Sequence, residues 1–353
     1  MSAASNANTL VLVTGASGFL GGHVTREFLE HGYRVRGTVR SLSNPRKVDH
    51  LRALGSKHEG RLELIEADLE SDAGWAAAVA GCTFVEHVAS PFPAKTPEDE
   101  QELVRPAVQG TLRVLRAAAA AGSVQRVVLT SSVAAIAYGH ERPESYVFTE
   151  DDWSVPERCE AYQKSKTLAE RAAWDFVNNT PEGKLLQLAT INPGFIAGPL
   201  SGPDIGTSGE VVGRLLRREL PACPKLGFAT VDVRDVAIAH RLATEVAEAA
   251  GQRFLAAGDH LWMQDMARIL AADLGPEGFR PPTGSLPYAV LWLASRFDAS
   301  LKMVLPYIGK KEQVSHERAK RVLGWKPRPA RETLVDMARS MVAAGLIPQP
   351  RRS

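Results

Sequence analysis

The stretch Leu10-Val-Leu-Val-Thr-Gly15-Ala-Ser-Gly18-Phe-Leu-Gly21 is an apolar run followed at once by three glycines. The run Leu10–Val13 has no polar residue, which is typical of a strand buried on both faces of a parallel sheet. A helical pattern begins at Phe19 and continues to His31, and Gly32 stands where a helix commonly ends. The stretch therefore predicts a strand, a tight turn and a helix, in that order.

Short β-branched runs and helical patterns alternate over the first two thirds of the chain. The predicted strands are Thr9–Val13, Tyr33–Val39, Leu62–Glu66, Thr83–Val88, Val124–Thr130 and Leu185–Asn192. The helical patterns between them are Phe19–His31, Pro97–Ala121 and Glu157–Asn179. This alternation predicts an α/β fold of the Rossmann type, with a doubly wound parallel sheet and right-handed crossovers.

The character of the sequence changes after Pro193. Glycine and proline become frequent, and the later helical patterns are Glu210–Arg218, Asp235–Ala250, Gln264–Leu274, Leu286–Leu305 and Arg331–Ala344. We expect residues 1–193 to form the Rossmann domain, to which some later segments return. We expect residues 194–353 to form a smaller, mostly helical lobe over the carboxyl ends of the strands, where open α/β sheets bind ligands.

The composition excludes several classes of partner. The chain has 353 residues, and its 42 basic and 40 acidic side chains nearly balance, which does not favour nucleic acid or an anionic membrane. Three cysteines, Cys82, Cys159 and Cys223, are far apart and lack metal-ligand spacing, which suits a reducing compartment. The first residues show no secretory signal, and the apolar stretches are too short to cross a bilayer. We therefore expect a cytoplasmic protein without a metal.

The three glycines have the spacing of a phosphate-binding turn. Gly15 can adopt a tight turn, Gly18 lets the backbone approach a pyrophosphate, and Gly21 lets the helix pack against the strand. A pyrophosphate would meet the amides and the positive dipole of the helix N-terminus. The alternative is a glycine-rich turn without a ligand. The position in the first βαβ unit favours a dinucleotide site that comprises Gly15, Ser17, Gly18, Phe19, Leu20 and Gly21.

The end of the second predicted strand distinguishes the two nicotinamide dinucleotides. NAD sites usually carry an acid there for the ribose hydroxyls, yet no acid occurs between Glu30 and Asp49. Arg40 closes the strand, and Lys47 follows closely. A guanidinium can bind a 2′-phosphate with two hydrogen bonds and cover the adenine. A solvated basic turn is the alternative, but the missing acid and the added base both favour NADP(H).

Asp68 and Leu69 follow the third predicted strand. The carboxylate of Asp68 could accept a hydrogen bond from the adenine amine, and Leu69 could supply an apolar contact. The alternative is that Asp68 caps the N-terminus of a helix, and the local sequence alone favours that alternative.

Tyr162 and Lys166 lie four residues apart in a helical pattern. Their side chains therefore share one helix face, with Cβ atoms about 5–6 Å apart. A phenol titrates near 10, and we expect the neighbouring ammonium to lower the pKa of Tyr162 toward neutrality, which would make it a reversible proton donor. Lys166 could also hold the nicotinamide ribose. The spacing alone occurs often by chance.

The cluster Thr130-Ser-Ser132 ends a predicted central strand, at the edge where ligands bind. A hydroxyl there can hydrogen-bond a substrate oxygen as that oxygen gains charge, and can orient the tyrosine. Ser132 is the better candidate, because Ser131 could simply cap the strand and Thr130 could line the cofactor. The cluster and the tyrosine–lysine pair together predict proton delivery to a carbonyl while a nicotinamide delivers hydride.

These motifs together resemble the extended short-chain dehydrogenase/reductases. The similarity is greatest to the branch of dihydroflavonol reductase, cinnamoyl-CoA reductase and the aldehyde and carbonyl reductases, and it covers almost the whole chain. Further segments that carry it are Thr38-Val-Arg40, Ala67-Asp-Leu69, His87-Val-Ala-Ser-Pro91, Asn192-Pro-Gly194, Val231-Asp-Val-Arg-Asp-Val-Ala237 and Ala319-Lys-Arg-Val-Leu-Gly-Trp325.

The resemblance implies reversible, NADPH-dependent reduction of an aldehyde or ketone to an alcohol, with Ser132, Tyr162 and Lys166 as the catalytic triad. It implies that Arg40 and Lys47 hold the 2′-phosphate. It also implies three groups of cofactor contacts. Val88, Ala89, Ser90 and Thr130 would lie along the cofactor at the sheet edge. Pro193 and Ile196 would lie beside the nicotinamide, and Ser208, in a loop of the second lobe, would approach the pyrophosphate.

Two departures from the family pattern limit the substrate. Ala107 stands where relatives often carry Asn, so a polar role at that position is lost. The segment from Ala134 to Tyr162 lacks residues associated with polyphenol-specific members, which argues against a flavonoid. Phe92, Phe195 and Tyr138 follow motif segments and are candidates for an apolar pocket wall.

Two other functions stay open. A nucleotide-sugar epimerase or dehydratase shares the fold and the tyrosine–lysine pair but usually retains NAD(H), which Arg40 does not favour. A non-catalytic NADP(H) sensor would not need an intact catalytic set. The stripe Tyr288–Leu293 is interpreted as a helix core or a subunit contact, and a homodimer through helices is compatible with the sequence.

Overall fold

A computed structural model describes residues 6–91, 99–296 and 305–350. A parallel sheet of seven strands runs through its centre. In spatial order the strands are β3 (Leu62–Glu66), β2 (Arg34–Val39), β1 (Leu10–Val13), β4 (Phe84–His87), β5 (Arg126–Thr130), β7 (Gln187–Pro193) and β10 (Arg253–Ala256). The order reverses between β1 and β4, the place where an open α/β sheet binds ligands. The predicted doubly wound Rossmann fold is confirmed.

Helices cover both faces of this sheet because β1 sends alternate side chains to opposite sides. Val11 and Val13 pack on one side and Leu10 and Leu12 on the other, which explains the uninterrupted apolar run. The helices on the valine side are α1 (Phe19–Glu30), α2 (Pro45–Lys57) and α7 (Val233–Glu245). Those on the leucine side are α3 (Trp75–Val79), α4 (Gln101–Ala121) and α5 (Ala161–Asn179).

The second lobe contains a small sheet that the sequence did not predict. Its strands are β8 (Phe195–Ala197), β9 (Gly227–Asp232) and β11 (His260–Trp262), with β9 in the middle. The helices packed against it are α6 (Gly206–Leu216), α8 (Met263–Leu274) and α11 (Ala330–Ala343). Between these segments, α7 and β10 return to the Rossmann sheet. The boundary between residues 193 and 194 stays a prediction.

The remaining elements are short. They are β6 (Val147–Phe148), α9 (Tyr288–Ala294), β12 (Gln313–Val314) and α10 (Glu317–Leu323). The helix predicted over Leu286–Leu305 corresponds to α9 in the described part, and residues 297–304 lie outside it. The stripe on α9 is not a helix core, because Tyr288, Val290, Trp292 and Leu293 expose 45–58% of their surface. None of the helices in the described ranges combines the length and the apolar character that a bilayer crossing needs.

Candidate active site

The glycine turn between β1 and α1 is crowded by backbone. Gly15 has a φ of +66°, and its amide donates a 3.0 Å hydrogen bond to Oγ1 of Thr38. A Cβ on Gly21 would lie 2.1 Å from the Gly15 carbonyl oxygen, whereas a Cβ on Gly18 would lie 3.3 Å from it. Gly21 is thus required for packing, and Gly18 leaves open the face of the turn that a pyrophosphate would approach.

The first turn of α1 fits the phosphates of a dinucleotide. Gly18 caps the helix without a side-chain hydrogen bond, and the first turn has no acidic residue, so its amides face no competing carboxylate there. Ser17 and Phe19 are half-buried at this turn. Leu20 packs into the core, which leaves its backbone as the part that a ligand could contact.

Two basic side chains lie at the predicted 2′-phosphate site. Arg40 is exposed just after β2 and makes no hydrogen bond or ion pair within the described ranges. The ammonium of Lys47, in the first turn of α2, lies 3.7 Å from the Asp204 carboxylate of the second lobe. Arg40 can therefore bind a phosphate without losing a hydrogen bond or ion pair to the protein.

Asp68 does not cap a helix, so that alternative is wrong. Its carboxylate accepts a 3.0 Å hydrogen bond from the Glu70 amide in a turn, and α3 begins only at Trp75, after Gly74. Leu69 packs partly against the core beside Gly110. The adenine contacts of Asp68 and Leu69 stay predictions.

The segment after β4 is tied to the glycine turn. The Ala89 amide donates a 2.9 Å hydrogen bond to Oγ1 of Thr14, which is also 2.9 Å from Nδ1 of His87. Burial lowers the pKa of His87 to about 3, which leaves it neutral. Val88, Ala89 and Ser90 consequently lie next to the turn, where the sequence predicts the cofactor.

The three predicted catalytic residues come together at the carboxyl end of β5. Ser132 follows that strand, and its hydroxyl hydrogen-bonds with the Tyr162 phenol and accepts from the Ala134 amide at 3.1 Å. Lys166, one turn after Tyr162 on α5, donates a 2.9 Å hydrogen bond from Nζ to Oγ of Ser90. The arrangement aligns a hydroxyl, a phenol and an ammonium along one edge of the sheet.

The pKa of Tyr162 differs from what its spacing with Lys166 predicted. Burial raises the pKa of the Tyr162 phenol, opposed by the hydrogen bond with Ser132. Burial lowers the pKa of Lys166 to about 8, opposed by the charge of Glu170. The expected lowering of the Tyr162 pKa by Lys166 is therefore not what the structure gives: loss of solvation at the hydroxyl raises that pKa although 37% of the residue's surface is exposed, and Nζ of Lys166 is directed to Ser90.

A buried ionic cluster behind the serines was missed at the level of sequence. The carboxylate of Glu170 accepts hydrogen bonds from Oγ of Ser131 at 2.5 Å, Nδ2 of Asn192 at 2.7 Å and Nε of Arg253 at 2.7 Å. The Asn192 amide also donates to the Ser132 carbonyl at 3.2 Å. Glu170 lies one turn beyond Lys166 on α5, and an acid on that helix face was the signal that could have revealed it.

The Thr130 hydroxyl is held by a second buried cluster. Its Oγ1 lies 2.9 Å from Nε2 of His240, whose Nδ1 lies 2.8 Å from the Glu86 carboxylate. Thr244 also donates to Glu86, at 2.6 Å. Thr130 therefore lies at the site as predicted, but its hydroxyl already has a partner in the core.

The residues assigned to the nicotinamide and pyrophosphate divide into two groups. Pro193 ends β7 and Ile196 lies half-buried in β8, both at the carboxyl edge of the sheet. Ser208 is not in a loop: it lies buried in α6, and its hydroxyl donates to the Ile196 carbonyl. The structure gives no support for the predicted pyrophosphate contact of Ser208, because its hydroxyl already joins α6 to β8.

One cavity adjoins Lys166, and another adjoins Val133, the residue after Ser132. The first, of about 10 Å³, is lined by Ser90, Ala107, Thr130 and Lys166, among others, and has room for about one water molecule. The other, of about 40 Å³, is lined by Val133, Tyr138, Phe195, Gly227, Phe228, Ala229 and Glu312. Tyr138 and Phe195 thus form a pocket wall, and Phe92 lies outside the described residues. No three His, Cys, Asp or Glu side chains gather as metal ligands within the described ranges.

Comparisons with known proteins bear on the family and on the fold. A family model described as the NAD dependent epimerase/dehydratase family matches residues 11–257. Cinnamoyl-CoA reductase CAD2 of Medicago truncatula is 41% identical over 256 residues, 71% of this chain and 77% of that protein. Cinnamoyl-CoA reductase 1 of Petunia hybrida is 35% identical over 345 residues, 97% of this chain and 94% of that protein. The structure of yeast methylglyoxal/isovaleraldehyde reductase Gre2 complexed with NADPH is similar with a TM-score of 0.78 and 28% identity, covering 96% and 99% of the two chains.

Proposed function

The chain belongs to the NAD dependent epimerase/dehydratase family, the extended short-chain dehydrogenase/reductases, and we propose that it reduces an aldehyde or ketone to an alcohol with NADPH. The observation that carries the proposal is the hydrogen bond between Ser132 and Tyr162, one helical turn from Lys166. An enzyme of this kind is an oxidoreductase whose own side chains handle the proton.

The residues present fit NADPH. The Gly15–Gly21 turn and the amides of α1 would hold its pyrophosphate, and Arg40 with Lys47 would hold its 2′-phosphate. The segment Val88–Ser90 would line it together with Pro193 and Ile196. When bound, NADPH supplies the hydride.

Tyr162 supplies the proton. Because burial raises its pKa, the phenol stays protonated at neutral pH and can donate to the carbonyl oxygen of a substrate. Ser132 holds the phenol by a hydrogen bond and can bind the same substrate oxygen as its negative charge grows. The two hydroxyls thus face one reacting atom.

Lys166 favours the phenolate that Tyr162 becomes after it has donated. A positive charge one helical turn away stabilises that anion, and the hydrogen bond from Nζ to Ser90 directs the ammonium toward the predicted cofactor edge. Lys166 would also hold the nicotinamide ribose. Its role is therefore electrostatic and positional, without a covalent step.

Small and aromatic carbonyl compounds are the proposed substrates. The similar proteins are named for cinnamoyl-CoA, methylglyoxal and isovaleraldehyde, which share a reducible carbonyl and little else. The aromatic wall of Tyr138, Phe195 and Phe228 favours an apolar body next to the carbonyl. A cytoplasmic location and a homodimer are further proposals, consistent with three free cysteines and with the exposed stripe on α9.

The test is to mix the protein with NADPH and a panel of aldehydes and ketones and to follow absorbance at 340 nm. We expect turnover that Tyr162→Phe lowers by about 10²–10⁴-fold while NADPH binding is unchanged, because the loss is confined to proton donation. Tyr288→Phe, on an exposed ring far from the triad in sequence, is the matched control.

Tight NADPH binding with no oxidation across the panel would favour a sensor. Copurified NAD that resists dialysis would favour an epimerase or dehydratase.

A further inference from the structure

The wall of the 40 Å³ cavity contains one carboxyl group among apolar and aromatic neighbours. Glu312 shares this wall with Val133, Tyr138 and the stacked rings of Phe195 and Phe228, whose centroids are 4.5 Å apart. A carboxyl in an aromatic pocket is costly to bury unless a ligand or a neighbour satisfies it. Burial raises the pKa of the Glu312 carboxyl, opposed by a hydrogen bond with its own backbone amide and by the charge of Lys310.

The position of Glu312 is fixed by backbone hydrogen bonds on both sides of it. Three residues before it, the Gly309 amide donates a 2.7 Å hydrogen bond to the Lys225 carbonyl of the second lobe. Directly after it, β12 pairs with β6, with Gln313 opposite Val147. Glu312 therefore lies in a segment, residues 309–313, whose backbone is hydrogen-bonded to both lobes. These bonds hold its carboxyl at the cavity.

This cavity lies beside the segments that carry the catalytic residues. Val133, which follows Ser132 directly, and Tyr138 both line it. The Tyr138 ring contacts Tyr307 edge-on, and the Tyr307 hydroxyl accepts a 2.9 Å hydrogen bond from Nε2 of Gln163, the residue after Tyr162. A carbonyl compound that reaches Tyr162 with its oxygen has this pocket available for the rest of its structure.

Close packing of β8 against β9 positions the opposite wall of the cavity. A Cβ on Gly194 would lie 2.0 Å from the Ala229 carbonyl oxygen, so β8 approaches β9 closely and Phe195 is pressed against Phe228. A flat or apolar substrate body can pack on this pair, while the carboxyl of Glu312 provides a hydrogen-bond acceptor in the same pocket.

We propose that Glu312 determines substrate specificity: it selects carbonyl compounds that carry a hydroxyl or amino group remote from the carbonyl, and it disfavours those that carry a carboxylate there. The inference rests on the proposed reductase function and specifies its substrate class. A donor on the substrate satisfies the carboxyl of Glu312, whereas a second carboxylate meets a like charge in a poorly solvated place.

The experiment compares benzaldehydes that carry a hydroxyl, a methyl or a carboxylate at position 3 or 4, with NADPH. A hydroxyl and a methyl group are close in size. The ratio of kcat/KM for the hydroxylated benzaldehyde to that for the methylated one therefore isolates the effect of the hydrogen-bond donor. Dividing the wild-type ratio by the ratio of a variant cancels the intrinsic reactivity of each aldehyde. Glu312→Leu removes the acceptor, and Glu312→Gln removes the charge at nearly constant size.

We expect Glu312→Leu to lower the hydroxyl-to-methyl ratio by about 10-fold or more, as for a lost hydrogen bond to a charged group. We expect Glu312→Gln to raise kcat/KM for the carboxylated aldehydes by about 10-fold. Glu317→Gln, an exposed acid at the start of α10, is the matched control and should leave each ratio unchanged. Thermal unfolding and NADPH binding establish that each variant is folded.

Reduction of all the aldehydes with ratios that change less than threefold in both Glu312 variants would overturn the role of Glu312 and leave the reductase function standing. Failure of the wild-type protein to reduce any of them, or any ketone, while it binds NADPH would overturn the reductase function and with it this proposal.

Discussion

The guanidinium Nε of Arg253 on β10 lies 2.7 Å from Oε1 of Glu170 on α5, with both side chains almost fully buried. The pair lies behind the serine cluster, since Glu170 also accepts from Ser131 and from Asn192. It joins strands at one edge of the sheet to the helix that carries Tyr162 and Lys166. The charged side chains of Arg253 and Glu170, behind the active site, are therefore fixed in position within the buried core.

Replacing Glu170 by Gln should destabilise the protein strongly. The amide cannot neutralise Arg253, and breaking a buried pair by removing one partner costs about 3–5 kcal/mol in the free energy of unfolding. Urea unfolding followed by circular dichroism measures this change. Glu182→Gln, at an exposed position just after α5, should shift it by less than about 0.5 kcal/mol. A loss below about 1 kcal/mol for Glu170→Gln would contradict the role given to the pair.

Alanine at Gly18 and at Gly21 should have different effects. The Cβ of Gly21→Ala would meet the Gly15 carbonyl oxygen at 2.1 Å, so unfolding free energy should fall by about 1–3 kcal/mol or more. At Gly18 the contact is 3.3 Å, and the backbone is extended, so Gly18→Ala should fold but bind NADPH at least about tenfold more weakly. Thermal unfolding and calorimetric titration separate the two effects. Equal NADPH affinity in Gly18→Ala and wild type would argue against the pyrophosphate site.

Arg40→Ala should reduce the preference for NADPH over NADH. Loss of a guanidinium contact with the 2′-phosphate should weaken NADPH binding by about 10- to 100-fold, whereas NADH lacks that phosphate and should bind as before. Fluorescence titration with each cofactor measures both constants. Arg34→Ala, an exposed arginine at the start of β2, serves as the matched control. A parallel loss for both cofactors would mean that Arg40 acts on the fold rather than on the phosphate.

The rate of carbonyl reduction should fall as the pH rises through about 8. Burial lowers the pKa of Lys166 to about 8, so its positive charge is present below that pH and lost above it. The Tyr162 pKa is raised by burial, so the phenol itself does not titrate in this range. A profile of kcat/KM from pH 6 to 10 measures the decline.

Lys166→Arg keeps a positive charge throughout that range and should move the decline to higher pH. Lys164→Arg, two residues earlier and paired with Glu100, should retain the wild-type profile. A wild-type rate that stays constant up to pH 10 would show that the charge of Lys166 is not needed.

The local sequence was sufficient to predict the strand, the turn and the helix that form the proposed cofactor site. The run Leu10–Val13, the glycine spacing and the helix to Glu30 are all short-range signals, because strand and helix periods repeat every two and 3.6 residues. The same holds for Tyr162 and Lys166, whose spacing places them on one helix face. These signals predicted the Rossmann fold, and the family resemblance added the reductase function.

Several details could not be predicted because they depend on contacts between distant segments. Ser208, expected in a loop, lies in helix α6, and its hydroxyl donates to the Ile196 carbonyl of a strand that the sequence did not indicate. The Tyr162 pKa moves opposite to expectation, because loss of solvation at the hydroxyl is the main influence on it and Nζ of Lys166 is directed to Ser90. Periodicity within one element carries no information about what packs against it.

The sequence by itself determined the fold class, the phosphate turn and the residue types of the triad. Tertiary structure alone decided that Lys166 reaches Ser90, that Arg253 neutralises Glu170, and that Glu312 lines the 40 Å³ cavity. The physical reason is that hydrogen-bond and charge partners must lie within about 3–4 Å, and chain folding sets such distances between residues far apart in sequence.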